Sequence, residues 1–270
     1  MFGENEVAPI EHEADGQRLR VKEIFGTIQG EGPFAGRPAI FIRMAGCNLR
    51  CHFCDTDFED GDYLALNQII RKVEAATDHC NTELIVITGG EPLIQNIVPL
   101  CVELTSVGFN VQIETAGTVW PERDPHSGSV RANGKLTALV IAGRVTLVCS
   151  PKTPKLHPKI IDLCDNFKYI IRAGEVDELT GLPNVSTQTI PTGAEQDQRS
   201  RPWYPKHGRL TTMTIWLQPC AEYHVAQVTN LKMPIADSKA TRENIELCTR
   251  LAMRHGYRIS LQQHKILGVD

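Results

Sequence analysis

The sequence predicts an α/β fold built on a parallel sheet. Short apolar segments with the character of buried strands alternate with longer segments that carry apolar residues at helical spacing. This alternation favours strand–helix–strand units with right-handed crossovers. The chain has 270 residues, enough for a sizeable core in one large α/β domain or two small ones. We expect a loose polar tail over residues 1–18 and a single domain over 19–270, with insertions near 119–143 and 183–211.

Each element follows from a local pattern. In the first helix the apolar residues recur every three or four positions, and Asn67 is a plausible N-cap. Gly108 and Gly256 stand where two later helices should end, since glycine adopts the left-handed conformation that closes a helix. The predicted helices cover residues 67–79, 96–107, 157–164 and 239–255. The predicted strands cover residues 19–29, 38–45, 84–87, 111–115, 146–149, 168–171, 213–217 and 257–262.

Polar motifs follow five of these strands. They stand after positions 45, 87, 114, 149 and 217. In a parallel barrel the carboxyl ends of the strands share one face, where sites are built. We therefore expect four motifs to meet at one mouth: the cysteine loop of residues 47–56, residues 89–91, residues 150–152 and Gln218.

Composition narrows the classes of function. The formal net charge of −4 gives no sign of a basic surface for nucleic acid. The sequence contains no apolar run near the roughly 20 residues of a membrane span, so no membrane partner is expected. Nine cysteines, unevenly placed and without a secretory leader before them, favour reduced thiols in the cytoplasm over a disulfide framework.

Three cysteines form the most informative motif. Cys47, Cys51 and Cys54 have the spacing C-x3-C-x2-C, and thiolates select iron–sulfur clusters, zinc or cuprous copper. The next cysteine is Cys80, beyond a predicted helix, and His52 is too close to Cys51 to complete the same tetrahedron. Three thiolates with one metal position open favour catalysis over structure. A zinc knuckle and a chance cluster of buried thiols remain the alternatives.

The second motif is residues 88–92, Thr-Gly-Gly-Glu-Pro. Glycines at a strand end let the backbone approach a polar ligand closely, although an ordinary strand-to-helix turn has the same composition. Together with the cysteine loop, this motif resembles the radical S-adenosylmethionine superfamily. In that superfamily three cysteines hold a [4Fe–4S] cluster, and the methionine part of S-adenosylmethionine chelates the fourth iron.

Further motifs narrow the resemblance to one family, the 7-carboxy-7-deazaguanine synthases. It lies in residues 29–32, 36–43, 46–47, 54–56 and 260–268. The similarity covers roughly residues 20–118, 145–172 and 213–270, and lapses in the tail and in the two insertions.

The resemblance implies a partial, open parallel β/α barrel of the radical S-adenosylmethionine type. It also implies ring contraction of 6-carboxy-5,6,7,8-tetrahydropterin to 7-carboxy-7-deazaguanine with loss of ammonia, a step in queuosine and 7-deazapurine biosynthesis. The implied cofactors are a [4Fe–4S] cluster, S-adenosylmethionine and Mg²⁺. A flavodoxin- or ferredoxin-like reductant and a homodimer are the implied partners. The protein's task would be to position the cofactors and exclude water, with no separate catalytic side chain.

The resemblance also assigns residues. It implies that Cys47, Cys51 and Cys54 bind the cluster and that Thr56 binds Mg²⁺. Thr56 could instead be a simple turn residue. S-adenosylmethionine falls to Phe53, Cys54, Asp55, Gly90, Ser150, Pro151, Lys152, Gln218, Pro219, Cys220 and Ala221. The substrate falls to Ile28, Gln29, Gly30, Arg43, Thr88 and Asp270.

Some of these side chains could instead have an ordinary structural role. Arg43 could pair with a neighbouring acid, and Lys152 could be a solvated surface lysine. The acidic run over residues 57–62 is expected to be a solvated loop.

Two rival functions remain. An activating enzyme for a glycyl-radical protein shares the cysteine spacing and the Gly-Gly-Glu turn, but residues 29–32 and 260–268 argue against it. A non-catalytic zinc or iron–sulfur module would need a fourth protein ligand and leaves the Gly-Gly-Glu turn unexplained.

Overall fold

The fold is a single open sheet with helices packed on its outer face. It is seen in a computed structural model that describes residues 6–11, 14–51, 54, 56–122, 134–186, 201–205, 213–228 and 231–269. Within these residues nine strands form the sheet in the order β13-β10-β7-β6-β5-β4-β2-β1-β3. From β2 to β13 neighbouring strands are parallel, whereas β1 is antiparallel to both of its neighbours. The two end strands are not paired with each other, so the barrel is partial and open, as expected.

The strands of this sheet range from 2 to 11 residues. They are β1 (Arg18–Ile28), β2 (Pro38–Met44), β3 (Asp62–Ala65), β4 (Leu84–Gly89), β5 (Asn110–Thr115), β6 (Val145–Cys149), β7 (Asn166–Ile171), β10 (Thr214–Pro219) and β13 (Arg258–Ile259). Two small hairpins lie outside it, β8 (Val176–Asp177) with β9 (Leu182–Pro183) and β11 (Tyr223–Val228) with β12 (Leu231–Ala236).

In the described residues all but the last of the helices pack on the outer face of the sheet, and the last lies against β1. They are α1 (Leu66–Thr77), α2 (Val98–Ser106), α3 (Lys135–Ile141), α4 (Pro158–Leu163), α5 (Ser238–His255) and α6 (Gln263–Leu267). Among them, α1 packs on β1, α2 on β5, α3 on β6, and α5 on β7 and β10. In the described part of the chain no helix is long and apolar enough to cross a membrane.

The alternation along β2 shows how the two faces of the sheet differ. Ile40, Ile42 and Met44 are fully buried beneath the helices. Each contributes roughly 1.5–3 kcal/mol through removal of apolar surface from water. Phe41 and Arg43 point to the opposite, concave face. Because side chains alternate between the two faces of a strand, β2 contributes to the core on one face and to a cavity wall on the other.

Several predicted elements need correction. The N-cap of α1 is Ala65 rather than Asn67. The Ala65 backbone N–H donates a hydrogen bond to the Gln68 side chain at 2.8 Å. The last strand is only Arg258–Ile259, because the chain turns into α6 instead of extending to residue 262. The acidic run ends in the edge strand β3, so it is not entirely a loop.

Both predicted insertions contain residues that pack within the fold. The first contains helix α3, whose N-terminus is held by the buried carboxylate of Glu122 through the Leu136 N–H at 2.8 Å. The second begins within β9 and includes Trp203, whose ring lies 5.0 Å from that of Phe167. Neither forms a separate unit in the described residues. The hairpin β11–β12 was not predicted.

Candidate active site

The concave face of the sheet opens into one cavity of about 650 Å³. This volume lies within the roughly 300–1,000 Å³ of small-molecule sites. The cysteine loop, Gly90, Ser150 with Lys152, and Gln218 all line it. The convergence predicted from the strand ends is therefore confirmed, since each of these motifs lies at or just after the carboxyl end of a parallel strand.

The cysteine loop forms one end of the cavity. Cys47 is buried, and Cys51 and Cys54 are partly exposed towards the cavity. The loop turns tightly, because the Cys54 N–H donates to the Cys51 carbonyl at 3.1 Å. Burial and the nearby charge of Glu91 raise the pKa of the Cys47 thiol, and the other two sulfurs add to the effect. A bound metal would reverse this by stabilising the thiolates.

This donor set fits a cluster better than a single ion. Among the described residues, no three His, Cys, Asp or Glu side chains are arranged to hold one metal ion. A structural zinc site needs four such ligands around one centre. In an iron–sulfur cubane each cysteine binds a different iron, and the three thiols of the loop all line this one cavity.

The Gly-Gly-Glu turn packs directly on the start of the cysteine loop. The Glu91 N–H donates to the Gly46 carbonyl at 3.0 Å, and the Gly90 N–H donates to the Met44 carbonyl at 3.2 Å. Gly90 has no room for a side chain, since an added Cβ would lie 2.6 Å from the Gly46 carbonyl carbon and 3.0 Å from Cys47 Cβ. Glycine here lets two backbone segments approach each other as well as a ligand.

Glu91 ties this turn to the next strand. Its buried carboxylate accepts hydrogen bonds from Thr115 Oγ1 and the Ala116 N–H, both at 2.7 Å, and from the Leu93 N–H at 3.1 Å. Burial nevertheless raises the pKa of Glu91 above its usual value. The residue therefore holds the architecture of the site rather than facing the cavity.

The predicted cofactor residues divide into two groups. Ser150, Lys152 and Gln218 line the cavity, and Lys152 Nζ lies 2.5 Å from Ser150 Oγ. Burial lowers the pKa of Lys152, which is not the solvated surface lysine of the alternative reading. Gln218 is buried, and its Oε1 finds no hydrogen-bond partner among the described residues. The second group lies next to these residues without lining the cavity: Pro151, Pro219, Cys220 and Ala221.

Glu114 is the centre of a polar cluster on the cavity wall that sequence reasoning missed. Its Oε1 accepts hydrogen bonds from Gln29 Nε2 and Gln112 Nε2, both at 3.0 Å, and its Oε2 accepts one from Thr88 Oγ1 at 2.9 Å. Two of these donors, Gln29 and Thr88, are predicted substrate residues. The available signal was the alternation along β5, which places Glu114 on the concave face at a strand end.

Arg43 also lies on this wall, with its guanidinium 5.5 Å from the centre of the Phe25 ring. Its Nε donates to Glu23 Oε1 at 2.5 Å, so the predicted pairing with a neighbouring acid is present. This contact uses one of the five donors of a guanidinium. Ile28 and Thr56 line the cavity as well.

The carboxyl-terminal segment, residues 260–269, closes the cavity over the turn after β1. Ser260 Oγ accepts a hydrogen bond from the Gly32 N–H at 3.1 Å, and the Gly30 carbonyl accepts one from the Gln263 N–H at 3.3 Å. Gly30 therefore does not line the cavity itself; a Cβ there would meet His264 Nδ1. His264 lines the cavity in its place.

A buried ion pair between Lys168 Nζ and Glu31 Oε2 completes the wall; the side chains of both are about 10% exposed. Burial alone would raise the pKa of Glu31, but attraction to Lys168 and hydrogen bonds from Lys168 and Gln262 hold it below its usual value. The predicted residues Phe53, Asp55 and Asp270 lie outside the described residues, as does His52.

Comparison with known proteins shows the class of protein to which this fold and site belong. Residues 41–124 match the profile of the Radical SAM superfamily. The chain also resembles the solved structure described as the crystal structure of QueE from Escherichia coli, with a TM-score of 0.56 and 22% identity, covering 90% of this chain and 93% of that one. At this identity the likeness shows the fold alone. This is a radical S-adenosylmethionine protein, a class that carries a [4Fe–4S] cluster and S-adenosylmethionine.

Comparison with curated proteins identifies the family. A 7-carboxy-7-deazaguanine synthase of Rhodospirillum rubrum is 37% identical over the full length of both chains. Another, of Rickettsia prowazekii, is 34% identical over all of this chain and 96% of its own length. The chain belongs to the 7-carboxy-7-deazaguanine synthase family. The glycyl-radical activating enzyme is not favoured by these findings.

Proposed function

We propose that this chain converts 6-carboxy-5,6,7,8-tetrahydropterin to 7-carboxy-7-deazaguanine with loss of ammonia. The observation that carries the proposal is the single cavity in which the cysteine loop and the Gly-Gly-Glu turn face the polar cluster around Glu114. Family membership on full-length similarity supports the same reaction.

In this proposal Cys47, Cys51 and Cys54 hold the [4Fe–4S] cluster and leave one iron to S-adenosylmethionine. When bound, the cluster and S-adenosylmethionine supply the radical chemistry that removes and returns one hydrogen atom. The chain's own contribution is to orient both ligands and keep water out of the cavity. Its residues do so from rigid strand ends, which hold the walls in place.

S-adenosylmethionine is proposed to lie between the Gly-Gly-Glu turn and Gln218. The unpartnered Gln218 Oε1 supports this position, because a buried acceptor without a partner is costly unless a ligand supplies a donor. Ser150 and Lys152 face the same part of the cavity. The residues 53, 55, 151 and 219–221 remain predictions for the same ligand.

The pterin is proposed to lie against Glu114, Thr88 and Gln29. A carboxylate is the natural acceptor for adjacent N–H groups such as the ring N–H and amino group of a pterin. Arg43 then faces the carboxylate of the substrate, to which a guanidinium can donate two parallel hydrogen bonds. Thr56 is proposed to share Mg²⁺ with that carboxylate, since Mg²⁺ takes oxygen ligands and retains several waters.

The remaining parts of the proposal concern partners and location. A flavodoxin- or ferredoxin-like reductant and a homodimer are expected from the resemblance. A cytoplasmic location is supported by nine cysteines that are all free thiols.

An anaerobic assay tests the function. The reconstituted chain is incubated with the carboxytetrahydropterin, S-adenosylmethionine, Mg²⁺ and dithionite, and the deazapurine and ammonia are quantified. We expect both in equal amounts, with S-adenosylmethionine not consumed. Stoichiometric cleavage of S-adenosylmethionine without a deazapurine would contradict the proposal, as would one zinc per chain in place of about four irons.

A further inference from the structure

The buried pair of Lys168 and Glu31 is not among the residues that the proposed function uses for the cluster or S-adenosylmethionine. Lys168 lies on the concave face of β7, and Glu31 lies in the turn after β1. Removal of two charges from water costs several kcal/mol per ion, and two apolar side chains would often stabilise the fold equally well. A charged pair in a cavity wall is therefore a candidate for chemistry.

One glutamine connects this pair to the proposed substrate position. Gln29 Oε1 accepts a hydrogen bond from the Glu31 N–H at 3.0 Å, while Gln29 Nε2 donates to Glu114 Oε1 at 3.0 Å. The backbone of Glu31 and the carboxylate of Glu114 therefore bond the two ends of the same side-chain amide. Lys168 and Glu114 both line the cavity, so a bicyclic ligand held on Glu114 would share that cavity with the Lys168 ammonium.

The proposed reaction needs a proton at this place. Comparison of the two ring systems shows that the nitrogen at position 5 of the pterin is the one expelled, because the five-membered ring of the product retains only the other. An amine departs as ammonia only if it receives a proton, since the amide anion is far too basic to leave. A side chain on the cavity wall that carries a proton can supply it directly.

We propose that Lys168 protonates the departing nitrogen and that Glu31 holds its ammonium group in position. The inference rests on the proposed function. The C–N bond breaks with its electron pair on nitrogen, which takes one proton from Lys168. The adjacent ring carbon then loses a proton to the neutral lysine as the five-membered ring becomes aromatic. Atoms and charge balance, with no oxidant or reductant consumed.

Other groups in the cavity suit this role less well. Arginine side chains are not deprotonated in proteins, so Arg43 cannot give up a proton. Glu114 already accepts three hydrogen bonds from neighbouring side chains, and the proposed function uses it to hold the pterin edge. Lys152 bonds Ser150 on the cofactor side. Lys22, Lys265 and His264 also line the cavity, and the experiment includes His264 as the competitor.

The test separates the radical step from ammonia release. Lys168→Met, Lys168→Arg and His264→Gln are compared with the parent chain, and Lys155→Met, at an exposed lysine, is the matched control. With substrate deuterated at C6, deuterium that appears in S-adenosylmethionine reports the radical step. Ammonia and deazapurine report the elimination. Calorimetric binding of the deazapurine product reports the integrity of the cavity without turnover.

We expect both Lys168 variants to release ammonia about 100-fold more slowly, the lower bound for loss of a general acid. Deuterium transfer should persist, and product affinity for Lys168→Arg should stay within about threefold, because arginine keeps the pair with Glu31 but cannot donate a proton. Lys155→Met should behave as the parent.

Three results would overturn the inference. These are ammonia release at the parental rate in Lys168→Arg, an equal loss of deuterium transfer and ammonia release, and a defect confined to His264→Gln. A parent chain that forms neither deazapurine nor ammonia would refute the proposed function, and the inference with it.

Discussion

Gly90→Ala should separate the Gly-Gly-Glu turn from the cysteine loop. The added methyl would lie 2.6 Å from the Gly46 carbonyl carbon and 3.0 Å from Cys47 Cβ. Both neighbours are backbone or directly attached to it, so neither can rotate away. Overpacking of this kind costs roughly 1–3 kcal/mol, and we expect the upper end. For a chain of this size about 3 kcal/mol lowers the Tm by about 6–12 °C.

Gly143→Ala is the matched control. It adds the same methyl at a glycine with φ of +69° and nothing within 4 Å of the new atom, so it costs only the strain of the left-handed conformation, about 1 kcal/mol. Thermal unfolding is followed by circular dichroism, and iron and sulfide are counted after anaerobic reconstitution. We expect Gly90→Ala alone to lose cluster and S-adenosylmethionine binding. Equal Tm values for the two variants, with full iron in both, would refute the steric argument.

Three further predictions follow from the cavity wall. Gln218→Leu removes an unpartnered buried oxygen, so the Tm should not fall while the Kd for S-adenosylmethionine rises about tenfold; a lower Tm with unchanged Kd would contradict this. Glu114→Gln should weaken binding of the pterin but not of S-adenosylmethionine, measured by calorimetry on the reconstituted protein. Glu31→Gln should lower the free energy of unfolding by on the order of 3 kcal/mol at pH 7. Because Lys168 depresses the pKa of Glu31 below 4.5 in the folded chain, this difference should persist above pH 4.5 and shrink as the pH falls below it.

Much of the fold was predictable because the spacing of apolar residues that marks a helix or a strand can be seen within a short stretch of sequence. Helix α5 was predicted within one residue at its start, and its end at Gly256 follows from a φ of +71°. The strand ends were predictable for the same reason, and they placed the cysteine loop, Gly90 and Gln218 around one cavity. The sequence pattern did not predict β3, because this strand begins at the end of an acidic run and pairs with β1 along one edge only.

The pairings that complete the cavity could not be predicted from sequence spacing. Lys168 and Glu31 are separated by 137 positions, and each alone is an ordinary charged residue. Glu114 is recognisable only when Thr88 and Gln29 are seen to donate to it. Arg43 was assigned to the substrate, yet its pairing with Glu23 also depends on the antiparallel register of β1 and β2.

The hydrogen bond between Gly32 and Ser260 spans 228 positions and has a consequence for biosynthesis. The three cysteines and the Gly-Gly-Glu turn leave the ribosome long before the segment that covers the cavity. Until residues 260–269 have been translated, the pocket has no cover on that side, and an iron–sulfur carrier has a wider route to the thiols than in the finished chain.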